Sequence, residues 1–190
     1  MFNFFDRIQR LNPDRKKFSD PRLSKASQSL REQLKQVFLN QNEHNWMNTQ
    51  EKVRANFEKL FQFLPITALE TLIQQHICFV CAEDLQSKNI LNFPTLNLVV
   101  LKPAYLKLIQ KVNDCALAYL AHEIGMMIYE LSAGHKLTPD EQMLAEVETD
   151  KWLCDLGLAE GLEQCLLAFD ESHEKRLRLT YLTVRTFTGQ

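Results

Sequence analysis

Ala118-Tyr119-Leu120-Ala121-His122-Glu123-Ile124-Gly125-Met126-Met127-Ile128-Tyr129-Glu130 decides how the rest of this chain is read. It is a long, nearly all-apolar helical pattern with a His-Glu pair in its middle. A helix apolar on every side is buried on every side, so an ionisable pair there is costly unless something satisfies it. At about 100° per residue, Leu117, Leu120, Ile124, Ile128 and Leu131 fall on one side and should pack on the core. The other side carries Cys115, Ala118, Tyr119, His122, Gly125, Met126 and Tyr129, with Glu123 on its flank. It has no lysine or arginine, so it too meets protein or lines a cleft.

Working outward, the helix should start at Asn113 and stop at Gly134, where a left-handed residue ends a helix at least cost. Thr138-Pro139-Asp140-Glu141 then supplies a cap, a proline at the first helical position and a glutamate at the third, opening a helix that ends near Gly157. The short connection predicts an antiparallel helical hairpin. Met126 and Glu146 lie ten residues on either side of Lys136, and His122 and Asp150 lie fourteen. At about 1.5 Å per residue each pair reaches the same height. His122, Glu123, Glu146 and Asp150 should therefore cluster, with Met126 at the centre.

Two more helices are expected after this hairpin, over about 158–169 and 172–187. Upstream, Asp20-Pro21 opens a helix with Leu30, Leu34, Val37 and Phe38 at helical spacing. A second helix is predicted from near Trp46 to Leu64, and a third begins at Pro65. Ile77–Cys81 and Leu96–Leu101 read as strands of a small sheet, joined by a loop over Glu83–Thr95. Pro103 begins a turn or helix. The N-terminal Phe2, Phe4, Phe5 and Ile8 allow two readings, a short helix packed on the core or a membrane-surface contact. The expected fold is α+β and mostly α, with residues 1–64 a helical segment packed on a domain formed by 65–190 and the whole one compact unit.

Composition limits the function classes. The 190 residues are 45% hydrophobic, enough for one good-sized core, and the formal charge of -2 gives no nucleic-acid signature. No uncharged stretch is long enough to span a membrane, and the start lacks the apolar core of a secretory signal. A soluble, cytoplasmic protein is expected. The five cysteines, Cys78, Cys81, Cys115, Cys154 and Cys165, read as free thiols of a reducing compartment.

Zinc hydrolysis is one chemistry that would call for such a cluster, and a core histidine satisfied by Asp150 is permitted by the same count. Two histidines one turn apart and a carboxylate from a neighbouring helix leave a fourth position for water. The metal acidifies that water, and a glutamate takes its proton. His122-Glu123-Ile124-Gly125-Met126 followed by Glu146-Val147-Glu148-Thr149-Asp150 resembles the gluzincin zinc metallopeptidases, whose pattern is His-Glu-x-x-His and then Glu-x-x-x-Asp on the next helix. It is most similar to the branch of heat-shock and prenyl-protein-processing endopeptidases, which carries a later His-Pro-x-x-x-x-Arg segment echoed by Ser172-His173-Glu174-Lys175-Arg176-Leu177.

The resemblance implies a zincin-like helical domain, with metal-ligand roles for His122 and Glu146, a base role for Glu123 and an orienting role for Asp150. It also implies a peptide-binding edge strand at Leu96–Leu101. The second histidine is replaced by Met126, a soft thioether ill matched to zinc. The leading expectation is thus a metallopeptidase-like protein with a degenerate site and no bound cofactor, acting in peptide or protein binding or regulation. One alternative is an active zinc hydrolase in which His76, His135, His173 or a cysteine such as Cys115 supplies the missing ligand. The other is a helical interaction protein in which His122 and Asp150 satisfy each other.

Overall fold

A computed structural model describes residues 25–81, 97–101, 103–111 and 113–188. The expected N-terminal start at Asp20-Pro21, the Phe2–Ile8 cluster, the 83–95 loop and Leu96 lie outside the described residues. The described chain is mostly helical with a two-stranded parallel sheet. No helix among the described residues is long and apolar enough to cross a membrane. The chain forms two compact units that divide between residues 112 and 113.

In the first unit, α1 (Lys25–Leu39) leads into a 3₁₀ segment (Asn42–Thr49), followed by α2 (Glu51–Phe63) and α3 (Ile66–Gln74). The single helix expected from Trp46 to Leu64 is therefore broken at Gln50, which leaves helical geometry at φ -123° and ψ 66°. The polar run Asn42–Thr49 is spent on side-chain bonds to the sheet instead. His44 Nδ1–H donates to Phe38 O at 2.7 Å and its Nε2 accepts from Phe79 N at 3.0 Å. Trp46 Nε1 donates to Phe79 O at 2.9 Å. Together they satisfy the outer backbone groups of Phe79, where a sheet edge would otherwise be left unpaired.

Strand β1 (Ile77–Cys81) pairs in parallel with β2 (Asn97–Leu101), Ile77 opposite Asn97 and Cys81 opposite Leu101. The core of this unit is aromatic. Phe38 packs on Phe57, Phe61 and Phe79 with ring centroids 5.0 to 6.3 Å apart, in tilted and edge-on arrangements that suit ring quadrupoles. Helix α4 (Pro103–Ile109) is tied back by the buried Asn56, whose Nδ2 donates to Ile109 O and Lys111 O.

Among its described residues the second unit contains four helices: α5 (Asp114–Ala133), α6 (Pro139–Asp155), α7 (Ala159–Leu167) and α8 (His173–Thr188). The hairpin signals operate as expected. The Asn113 side chain accepts from Ala116 N, Gly134 stands at φ 70°, and Thr138 and Glu141 form a reciprocal capping box. Ser172 Oγ accepts from Lys175 N and so caps α8. Leu117, Leu120, Ile124 and Ile128 of α5 are buried.

Helix α5 is also closed on its other side. A Cβ at Gly125 would lie 2.6 Å from Thr149 Cγ2 and 3.1 Å from the Trp152 ring, so the absent side chain lets α5 and α6 approach closely.

Candidate functional site

Height matching along the hairpin brings the expected residues together. His122 of α5 places Nε2 2.8 Å from Glu146 Oε2 and Nδ1 3.3 Å from Asp150 Oδ1, both on α6. Asp150 is fully buried and His122 is 8% exposed. One helical turn separates the two carboxylates, so each meets a different ring nitrogen and together they fix the imidazole plane.

A fourth group, absent from the sequence reading, completes the cluster. Arg178, from the second turn of α8, donates from Nε to Asp150 Oδ2 at 2.7 Å and from Nη2 to Asp150 Oδ1 at 2.8 Å. Its Nη1 lies 2.7 Å from Glu146 Oε2 and 3.3 Å from Glu174 Oε1, and Nη2 lies 3.2 Å from His122 Nδ1. The guanidinium is buried. Its contact with Asp150 is the two-point fork that makes arginine–carboxylate pairs strong. The contacts to Glu146 Oε2 are of charge and distance, and that buried oxygen has no aligned hydrogen bond.

These neighbours set the protonation states. Burial opposes charge on His122, but hydrogen bonds to Asp150 and Glu146 outweigh it and the imidazole is pushed up to about 9. Burial would raise both Asp150 and Glu146, yet His122 and Arg178 hold each below its ordinary value. Burial works against the Arg178 charge as well, and Asp150 more than restores it. A protonated His122 turns Nδ1–H toward Asp150 and Nε2–H toward Glu146. A neutral ring keeps the Glu146 contact and accepts at Nδ1 from Arg178 instead. At neutral pH the ring is protonated, so two cations balance two carboxylates, which is how buried charge is tolerated.

Glu123 lies on the flank, mostly buried. Burial raises its carboxyl, with partial compensation from His122 and the Tyr119 hydroxyl one turn earlier. Met126 is held aside, since Thr149 Oγ1 donates to its sulfur at 3.5 Å. Within this unit, neither His135 nor His173 has a hydrogen bond or ion pair to the cluster. His135 bonds Ala133 O and Glu141 at the hairpin loop, and exposed His173 opens α8. His76 occupies a turn before β1 at φ 47°, and the buried Cys115 interacts with Cys165 of α7.

The set does not fit a tetrahedral zinc. Donors about 2.1 Å from such an ion stand roughly 3.4 Å apart, whereas His122 Nε2 and Glu146 Oε2 stand 2.8 Å apart as an ion pair. A thioether takes the third position and a guanidinium already neutralises the carboxylates. Among the described residues, no group of three His, Cys, Asp or Glu side chains is placed to hold a metal.

Arg178 had a sequence signal. Taking Ser172 as the first position of the His-Pro-x-x-x-x-Arg pattern, the arginine falls on Arg178 rather than on Arg176. No protein-family model matches the chain, and neither a curated protein nor a solved structure matches it significantly.

Proposed function

We propose that this is a metallopeptidase-like protein whose hydrolytic site has been converted into a closed ionic cluster, and that it acts by binding a peptide or protein partner rather than by cleaving one. The observation that carries this reading is the close ion-pair contact between the two would-be zinc donors, His122 Nε2 and Glu146 Oε2 at 2.8 Å, in a cluster that also holds Asp150 and Arg178. Hydrolysis by this route requires a polarised water beside a carboxylate base. Here the groups that would create that water are committed to one another, and Met126 offers no third donor of the required kind. Glu123 keeps its place beside His122 as a vestigial base.

The helical interaction reading, in which His122 and Asp150 serve each other, draws on the same bonds, with Arg178 as the third member. The two readings differ in ancestry and agree on catalysis.

The test is a peptide-library hydrolysis assay with untagged protein in zinc-supplemented buffer, run beside a display selection for peptide binders. The expected outcome is no turnover by wild type above that of Glu123→Gln, together with enrichment of bound sequences. Turnover abolished by Glu123→Gln would contradict the non-catalytic reading, and a selection that enriches nothing would count against the binding role.

A further inference from the structure

We propose that Cys115 and Cys165 form an oxidisable thiol pair, which a small peroxide converts into a disulfide stapling α5 to α7. The inference stands apart from the non-catalytic reading, because it concerns thiol chemistry and involves no metal.

The packing of the two helices brings the thiols together. Among the described residues, α5 and α7 make the most extensive contact between any two helices. At one point they approach so closely that a Cβ on Gly161 would overlap the Asp114 carbonyl, so the missing side chain lets the backbones meet. Cys115 follows Asp114, and Cys165 stands one turn beyond Gly161 on the same face of α7. Both residues are buried thiols, and they share a hydrogen bond. Cys78 and Cys81 are placed differently. Three apart in β1, they point to opposite faces, and Cys78 donates to Gln41 Oε1 and His76 O.

The surroundings select the reagent. The hydrogen bond to Cys115, and then burial, push the Cys165 thiol up. Cys115 is the second residue of α5, where a helix N-terminus favours the thiolate. Cys115 is therefore the sulfur that meets the oxidant, and Cys165 the one that resolves the product. A site closed to solvent admits a small neutral molecule more readily than a peptide disulfide.

The Cys115 thiolate attacks one peroxide oxygen and the O–O bond breaks. A sulfenic acid forms, and the hydroxide released takes up the thiol proton as water. The Cys165 sulfur then attacks the sulfenic sulfur, the S–O bond breaks, and the departing hydroxyl leaves with the Cys165 proton as a second water. The two thiols lose two electrons and two protons, and one peroxide becomes two waters. Because the sulfurs are already in contact, this second step is intramolecular and outruns capture by solution thiols or by further peroxide.

The experiment treats full-length wild type with hydrogen peroxide under native conditions, blocks the remaining thiols and maps proteolytic fragments without reduction. The expected result is a fragment pair joined through Cys115 and Cys165 and separated by dithiothreitol. Glutathione disulfide should form it more slowly. The bridge restrains the unfolded chain and should raise the thermal midpoint by roughly 5–15 °C, an increase that reduction removes. In Cys165→Ser the sulfenic acid has no resolving thiol, so dimedone should label Cys115 more heavily than in wild type.

Sulfinic acid at Cys115 in place of the bridge would overturn the proposal, as would a bridge from Cys115 to Cys154 or a bridged protein whose midpoint does not rise. Bridge formation by glutathione disulfide as fast as by peroxide, or equal dimedone labelling in the folded variant, would overturn it too. Should Cys165→Ser fail to fold, the wild-type map decides. Failure here leaves the non-catalytic reading in place, since that turns on hydrolysis and zinc.

Discussion

Arg178 grips Asp150 as a two-point fork, Nε on Oδ2 and Nη2 on Oδ1, and so joins the last helix to the hairpin through a carboxylate that solvent does not reach. Removing one member of such a pair strands the other. Arg178→Met or Asp150→Asn is each expected to cost about 3–5 kcal/mol of unfolding free energy. The double variant should cost clearly less than the sum, because neither partner is then left charged and unpaired. Urea denaturation of the three variants against wild type checks this, and strictly additive losses would argue against a direct pair.

The cluster also predicts a pH profile. His122 binds its proton more tightly folded than unfolded, at about 9 against an ordinary 6.5. The unfolded chain therefore releases that proton first as pH rises. The stabilisation, on the order of 3 kcal/mol, is complete below about 6.5 and is gone above about 9. Asp150 and Glu146 are shifted the other way. Their contribution is present above the ordinary carboxylate range and is lost as pH falls through their depressed folded values. Thermal denaturation across pH should thus give a plateau in the mildly acidic range, and His122→Gln should flatten its alkaline limb. An unchanged alkaline limb in that variant would show that His122 is not the group titrating.

His44, in the other unit, has the opposite sign. Burial lowers its basicity, ahead of the Phe38 carbonyl bond that favours the charged ring, and its Nε2 must stay unprotonated to accept from Phe79 N. Its contribution is full above the ordinary histidine value and declines as pH falls. Replacing His44 by Ala should expose the Phe79 amide to hydrogen exchange, raising its rate by an amount equivalent to about 1–3 kcal/mol. An exchange rate identical to wild type would rule the bond out.

Gly125 gives a purely steric prediction. In Gly125→Ala the new methyl meets Thr149 Cγ2 at 2.6 Å and should cost about 1–3 kcal/mol through overpacking. Adding Thr149→Ser, which deletes that methyl and keeps the hydroxyl donated to Met126, should recover much of the loss. Chemical denaturation of the pair is the check, and no recovery would place the clash elsewhere.

These contrasts show what could be read from the chain beforehand. The α5–α6 hairpin was legible because its signals are local: Asn113, Gly134 and the Thr138–Glu141 box each act within a few residues of themselves. Equal counts from Lys136 then sufficed to set His122 level with Asp150. The break at Gln50 was not legible, since His44 and Trp46 leave the helical register to reach Phe79, more than thirty residues away. Arg178 left only the later motif, counted from Ser172, as a signal, and its setting beside Asp150 was hidden for a related reason. Nothing local to α8 reveals which face meets α6, and a basic residue in a charged segment reads as solvent-facing until Asp150 is found beneath it.

The most direct test is the zinc content of untagged wild-type protein after incubation with excess zinc and gel filtration. The account predicts well below one zinc per chain, unchanged by Glu146→Ala. One zinc per chain that disappears in Glu146→Ala would contradict it.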